Sequence, residues 1–267
     1  MKEIEIEELK KIQLDILNDV HEYCCLNNIN YSLAYGTLIG AIRHHGYIPW
    51  DDDIDIMMPR EDYIRFVTNF NGYKENLTVV SPLSDKNYYA PYANVINNET
   101  LLMEGDSNNG NIGIKIDVFP IDRVPNHKIQ KDILFLKVKV LKTLININNS
   151  KGNSLYNLIS RVLRFLLKHI FHRYSFSEIL DRLATKSNNA NSSSNTVNNI
   201  VWCRCNEKGC FNLNSIEDTI EMEFEHKSFH VLGGYDNFLS NNYGNYMDLP
   251  PETERIPQHN FTAYWIN

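Results

Sequence analysis

Between residues 5 and 28, Leu9, Ile12, Ile16, Leu17, Val20 and Cys24 recur at helical spacing, with acids and lysines between them. That pattern predicts an amphipathic helix. YSLAYG (31–36) reads as a strand ending in glycine, and TLIGAIRHH (37–45) as a short helix with Thr37 near its start. DIDIMM (53–58) alternates polar and apolar positions, as a strand does. Pro59 closes that strand, and REDYIRFVTNF (60–70) predicts the next helix. LTVVS, YANVIN and GIKIDVF (113–119) are further strand candidates. From 128 to 173 the chain reads as helix, and SNNANSSSNTVNN (187–199) reads as a low-complexity loop or linker. EMEFEHKSFHV (221–231) predicts a hairpin, YDNFLSNNYGNYM (235–247) a closing helix, and Pro250-Pro251 an extended tail. No internal repeat is visible. Strands and helices are intermixed, with strands closely spaced, so the expected class is α+β with a mixed sheet and flanking helices.

Composition narrows this. The 267 residues suit one large domain or two small ones, and 43% apolar content supplies a sizeable core. The formal charge of −7 argues against nucleic acid as a partner. The opening MKEIEIEELKKIQ is charged throughout, unlike a secretory leader, and no apolar run approaches the roughly 20 residues that span a bilayer. Five cysteines, an odd number grouped at 24/25 and 203/205/210, do not form a secreted disulfide framework, so a cytoplasmic location is expected. The charge is uneven: from His127 to Arg173 ten Lys and Arg stand against one acid, Asp132. The rest of the chain is correspondingly acidic.

The chemistry is concentrated in GTLIGAIRHHGYIPWDDDIDIMMPRED (36–62), where Asp51, Asp52, Asp53 and Asp55 crowd together beside Trp50. Crowded acids repel, and burying one costs several kcal/mol unless a positive charge answers it. On a strand, Asp53 and Asp55 share a face while Ile54 and Ile56 turn to the core. Two carboxylates held in that way suit a hard cation, Mg²⁺ or Mn²⁺. A solvated acidic loop is the plainer reading, but the interleaved isoleucines tie the run to a core. An EF-hand fails at its sixth position, where a sharp turn needs glycine and the chain has Ile56. Gly36-Thr37, at a strand end and helix start, suits a phosphate cradle. A third acid, Asp117, sits inside the apolar IKIDVFPID; it is either a catalytic or metal carboxylate or half of a buried pair with Lys115 or Arg123.

The run YGTLIGAIRHHGYIPWDDDIDIMMPREDYIRF closely resembles the LicD family, the phosphocholine transferases of bacterial surface glycans, related to fukutin-like enzymes. IDVFPID resembles that family's second block, and YGNYMDLPP with a downstream histidine its last; the similarity covers most of the chain except about 125–200. The resemblance implies a single nucleotidyltransferase-like domain over 1–267 with a basic helical insertion at 126–200. It implies metal-dependent transfer of a phosphorylated alcohol, phosphocholine from CDP-choline in the type activity, to a hydroxyl of a cell-surface glycan of lipopolysaccharide, capsule or teichoic acid type, with release of CMP. Ribitol- or glycerol-phosphate transfer occurs in relatives. A true nucleotidyltransferase of the same fold, or a non-catalytic nucleotide- or glycan-binding module, are the alternatives.

Carried onto this chain, Gly36 and Thr37 would contact donor phosphates, and Arg43 would reach one from the short helix. Asp53 and Asp55 would hold the metal. Asp117 would be a further metal ligand or the base. A choline donor needs an aromatic face for its quaternary ammonium, for which Trp50, Tyr35, Tyr88 and Tyr89 are candidates. Glu104 and His259 are candidate substrate contacts, with Arg255 beside the latter in the last block. Two departures stand out. Many relatives carry a lysine where this chain has Asn94, a loss that His44, His45, Lys115 or a second metal would have to make good. HKSFHVLGGYD also lacks the relatives' usual proline.

Two other features have competing readings. Cys203, Cys205 and Cys210 with His226 or His230 suggest zinc, but the spacing is not a standard knuckle. The basic helical stretch, with Leu163, Phe165, Leu166, Leu167 and Ile170 flanked by Arg161, Arg164, Lys168 and Arg173, is either a peripheral membrane and lipid-linked-acceptor surface or a solvated cap.

Overall fold

The protein's structure is a computed structural model describing residues 1–85, 88–104, 112–149, 176–201, 206–257 and 261–266. The strands are β1 (Lys2–Ile4), β2 (Ser32–Leu33), β3 (Asp55–Pro59), β4 (Leu77–Val80), β5 (Ala93–Asn97), β6 (Thr100–Glu104), β7 (Lys115–Arg123), β8 (Thr196–Asn198), β9 (Phe211–Asn212), β10 (Thr219–Phe224), β11 (Lys227–Leu232) and β12 (Phe261–Trp265). The helices are α1 (Ile6–Asn27), α2 (Tyr35–His44), α3 (Arg60–Asn69), α4 (Lys128–Asn149), α5 (Phe176–Ala190), α6 (Asn214–Glu217) and α7 (Tyr235–Tyr243). This is the mixed α+β class expected from the sequence.

The central sheet runs β2-β3-β7-β5-β4, with β8 and β9 added beyond the end of β7. Among the described strands of this sheet only β3 and β7 are parallel; β2, β5 and β4 run antiparallel to their neighbours. All five residues of β3 are buried, because helices cover both sides of the strand and leave no solvated face to alternate with. Ile56, Met57, Val118 and Phe119 meet Ile16, Leu17 and Val20 of α1 and Tyr63 and Phe66 of α3 in one core. A separate antiparallel sheet, β1-β12-β6, joins the two ends of the chain, with Trp265 donating to Glu8 Oε1 at 3.1 Å.

Several boundaries differ from the sequence reading. The strand expected at 31–36 is only Ser32–Leu33, and α2 begins at Tyr35, whose φ of 47° is left-handed. The strand expected at 53–58 begins at Asp55, so Asp53 lies in the lead-in loop. Position 55 is where ladder pairing with β7 starts, at Asp117. Much of the low-complexity stretch 187–199 is ordered. α5 continues to Ala190 because Ser187 Oγ donates to the Arg123 carbonyl at 2.9 Å and Asn188 Oδ1 accepts from the Arg123 N–H at 3.0 Å. Thr196–Asn198 then pairs with β7. The expected hairpin is β10–β11, whose two-residue turn, Glu225-His226, has φ of 51° and 61°.

One ion cluster fastens the parallel pair. Arg60, first residue of α3 and 1% exposed, makes a two-pronged contact with Asp122 of β7 at 2.6 and 2.8 Å and reaches Asp181 of α5 at 2.7 Å. Burial disfavours the Arg60 charge, but Asp122 and Asp181 outweigh it and hold the guanidinium firmly charged. Replacing Arg60 with Met would strand two carboxylates in the core, and breaking such a cluster costs about 3–5 kcal/mol. Urea melts of Arg60→Met should show a loss of that size; a loss under about 1 kcal/mol would mean the cluster does not hold the sheet.

Candidate active site

Parallel pairing sets Asp55 of β3 directly beside Asp117 of β7, and antiparallel pairing sets Asn94 of β5 on the other side of Asp117. Residues opposite one another in a ladder project to the same face, so three strands deliver Asp55, Asp117 and Asn94 in one row. Asp117 Oδ1 accepts from Asn94 Nδ2 at 2.5 Å and from the Lys115 ammonium. The pairing with Lys115 considered from the sequence is therefore present, whereas Arg123 pairs with Glu61 instead. Lys115 and Asn94 converge on one oxygen, so Lys115, one of the groups considered for the missing lysine at position 94, stands beside that position. Asn94 is itself held by the Tyr88 hydroxyl, and by Tyr89 at 3.3 Å.

The loop before β3 brings more acid. Carboxylate oxygens of Asp51, Asp52 and Asp53 lie within 4.8 Å of one another. Burial first, and then Asp53, push the Asp51 carboxyl up to about 8. Burial also raises Asp55 well above the carboxylate range, with Asp53, Asp117 and Asp51 adding to it and Lys115 opposing. Burial disfavours the Lys115 charge in turn, yet Asp117 outweighs it and keeps the ammonium above its usual range. The Asp51 and Asp55 shifts come from carboxyl groups crowded together at half-buried and buried positions. Crowded oxygen donors of this kind suit a hard divalent cation. Among the described residues it is Asp51, Asp52 and Asp53 that bring one oxygen each within 4.8 Å of the others; the expected set Asp53, Asp55 and Asp117 does not form such a group and would need its side chains to rotate inwards.

Two positioning residues follow from packing. Gln13, buried on α1, donates to the Asp52 carbonyl at 3.1 Å and to the Lys115 carbonyl at 3.3 Å, tying the acidic loop to the start of β7. Thr37 Oγ1 accepts from the Asp55 N–H at 2.9 Å, so it fixes the end of β3. A Cβ on Gly36 would fall 2.5 Å from Asp51 Oδ2, so the close approach that glycine permits there is made by this carboxylate.

The remaining predicted residues divide into a basic aromatic cluster and a group lying elsewhere. Arg43 donates to the carbonyls of Tyr246 at 2.6 Å and Asp248 at 3.0 Å, and to His44 Nε2 at 2.9 Å. Arg255 lies over the Trp50 ring, 5.7 Å from its centroid, and His44 meets the same indole edge-on at 6.4 Å. Burial, then Arg255, lower the Arg43 guanidinium from its ordinary range, so two cations sit close together. Among the described residues neither forms an ion pair with a carboxylate. Tyr35 is buried against Phe119 and Phe238, and Tyr88 is buried on Asn94. Glu104 ends β6, opposite Phe261, and its side chain lies outside what is described, as does His259. Cys203 and Cys205 also lie outside the described residues; of their suggested partners, His226 sits at the exposed hairpin tip and His230 faces α1.

The sequence reading missed Gln13 as a positioning residue and left Asp51 out of the site set. Gln13 carries no signal, being one polar residue inside an apolar helical stripe. Asp51 does carry one, since it belongs to the same acidic run.

A sheet that lines up carboxylates from parallel neighbouring strands beside a glycine-opened helix is the architecture of a nucleotidyl- or phosphotransfer domain. Comparison agrees: residues 28–156 match the LicD/FKTN/FKRP nucleotidyltransferase domain. Over 272 aligned residues, 99% of each chain, the sequence is 31% identical to the lipopolysaccharide cholinephosphotransferase LicD of Haemophilus influenzae. Uncharacterized proteins of Rickettsia typhi (46% over 76 residues, 28% of this chain and 25% of theirs) and Rickettsia prowazekii (51% over 49 residues, 18% of each) are similar over shorter stretches. The chain belongs to the LicD family.

The Asp51 shift has a measurable sign. In protein stripped of divalent ions, the folded carboxyl keeps its proton to about pH 8, against about 3.9 when unfolded. The fold then binds the extra proton, so this group's stabilising contribution is lost as pH rises from about 4 towards about 8. Asp51→Asn should flatten that slope in urea melts at several pH values. An unchanged slope would place the titration elsewhere.

Proposed function

We propose that this protein transfers a phosphorylated alcohol, phosphocholine from CDP-choline, to a hydroxyl of a cell-surface glycan of lipopolysaccharide type and releases CMP. The reading rests on the row Asp55–Asp117 with Asp53 and Asp51 beside it, together with full-length similarity to a lipopolysaccharide cholinephosphotransferase. The cofactor is Mg²⁺ or Mn²⁺, held by Asp53, Asp55 and Asp117; when bound, such an ion offsets charge on the donor phosphates and the leaving CMP.

The protein's own groups do the rest. Lys115 stands beside Asp117 and adds a fixed positive charge at the reacting phosphorus. Gly36 and Thr37, at the start of α2, line the donor phosphate end. Arg255 lies over the indole of Trp50 with Arg43 close to it, a pair of cations that suits the donor's anionic groups. The acceptor oxygen attacks the phosphorus bearing choline, the bond to the CMP oxygen breaks, and the hydroxyl proton passes to a carboxylate of the acidic row, Asp117 where it is not holding the ion. No covalent enzyme intermediate is needed. Glu104 and His259 are assigned to the acceptor side.

The working location is the cytoplasmic face of the membrane. Among the described residues no helix is long and apolar enough to cross a membrane. Ile129, Ile133, Leu136 and Val140 form an exposed apolar stripe on α4, with Lys137 and Lys139 nearby, which suits peripheral contact near a lipid-linked acceptor.

Incubation with CDP-choline, Mg²⁺ and lipopolysaccharide should release CMP. CDP-ribitol or CDP-glycerol tests the related donors, and pyrophosphate from CTP would indicate nucleotidyl transfer instead. Asp53→Asn and Asp55→Asn should each lower turnover at least about 100-fold while the circular dichroism spectrum is kept, because the ion's several kcal/mol are lost. Either variant retaining more than about a tenth of the wild-type rate would sink the metal assignment.

A further inference from the structure

A second group of metal-ligating side chains lies away from the acidic row. His21 and Cys25 are four residues apart on α1 and so lie on one side of the helix. His230 arrives from β11, its ring 5.2 Å from that of His21. Cys25 Sγ is 3.7 Å from His21 Nε2, and one ligand atom from each of the three residues lies within 4.8 Å of the others. Around a tetrahedral zinc, bonds of about 2.3 Å to sulfur and about 2.0–2.1 Å to nitrogen put those donors about 3.5 Å apart. The existing separations need only small side-chain rotations to reach that.

The surroundings are those of a ligand site rather than of three chance neighbours. The Tyr31 hydroxyl lies 2.7 Å from His21 Nδ1. In the tautomer that protonates Nδ1 against this oxygen, Nε2 turns its lone pair towards Cys25; partners of this kind orient metal-bound histidines. Tyr31 also stacks on the His230 ring, at 5.2 Å and 25°, and its oxygen accepts from the His230 backbone N–H at 3.4 Å, so one phenol touches both histidines. Glu221 pairs with His230 across the hairpin, so its carboxylate emerges on the same face; Ser228 donates to its Oε2 at 2.9 Å.

We propose that His21, Cys25 and His230, with Glu221 as fourth donor, bind a zinc-class divalent ion that clips α1 to the β10–β11 hairpin. Two imidazoles, a thiolate and a carboxylate select a borderline-soft tetrahedral ion over Mg²⁺. Binding releases the Cys25 proton to solvent as the sulfur–metal bond forms. The clip would steady the site from behind. At the hairpin tip, the Glu225 N–H donates to the His45 carbonyl at 2.9 Å, and its carboxylate accepts from the Tyr47 N–H at 3.0 Å, in the turn that leads into Asp51–Asp53.

Cobalt(II) makes the test readable, because a thiolate ligand gives a near-ultraviolet charge-transfer band that an all-oxygen site lacks. Chelator-treated full-length protein should develop this band, with tetrahedral visible absorption, at one equivalent of Co²⁺. Cys25→Ser, at an exposed position, and His230→Gln should reduce it to background while circular dichroism stays that of the wild type. Asp55→Asn should keep it, which separates this site from the acidic one. Zinc should raise the melting temperature of Asp55→Asn but not of the double variant Asp55→Asn with Cys25→Ser. A wild type without the thiolate band, or a band that survives in Cys25→Ser, overturns the proposal.

Discussion

The grip of Arg60 on Asp122 and Asp181 is the interaction on which the rest depends. It sits where β3 passes into α3 and where β7 nears its end, so it locks the parallel pair β3 and β7. With Pro59 level with Ile121 at that end, Asp55 must be level with Asp117 at the other. A slip of one residue would turn one carboxylate into the core and bring an isoleucine or a valine to the surface of the site. The salt cluster is far from the chemistry, yet it decides which side chains meet there.

The two ends of that strand pair hold opposite electrostatic solutions. At the Arg60 end a guanidinium answers two carboxylates inside the fold, leaving a closed and rigid set. At the Asp55 end Lys115 answers Asp117, and burial among neighbouring acids raises the Asp51 and Asp55 carboxyls. The fold bears this second arrangement because Gln13, Thr37 and Asn94 fix the backbone and side chains around it through neutral hydrogen bonds. Neutral partners set geometry without cancelling charge, so the acidic row stays placed.

How much of this the sequence disclosed follows from the range of the forces involved. α1, α3 and the hairpin were legible because periodicity and a proline stop are local signals. The acidic run and Asp117 were legible because acids between isoleucines contradict their surroundings. The start of β3 at Asp55 was not, since it depends on where a strand sixty residues away begins to pair. The same holds for Ser187 and Asn188, which look like linker until the end of β7 supplies their partners. Gln13 and the meeting of His21, Cys25 and His230 likewise exist only once distant segments pack.

The turn Glu225-His226 closes a two-residue hairpin with positive φ at both positions, a conformation for which asparagine and glycine are much better suited. The chain accepts the poorer fit while the Glu225 carboxylate reaches across to the Tyr47 amide. A consensus Asn-Gly there would make a more comfortable bend and a hardier isolated hairpin. It would also cut the strut between that bend and the approach to the aspartates, so thermostability and catalytic order would pull in opposite directions at this one corner.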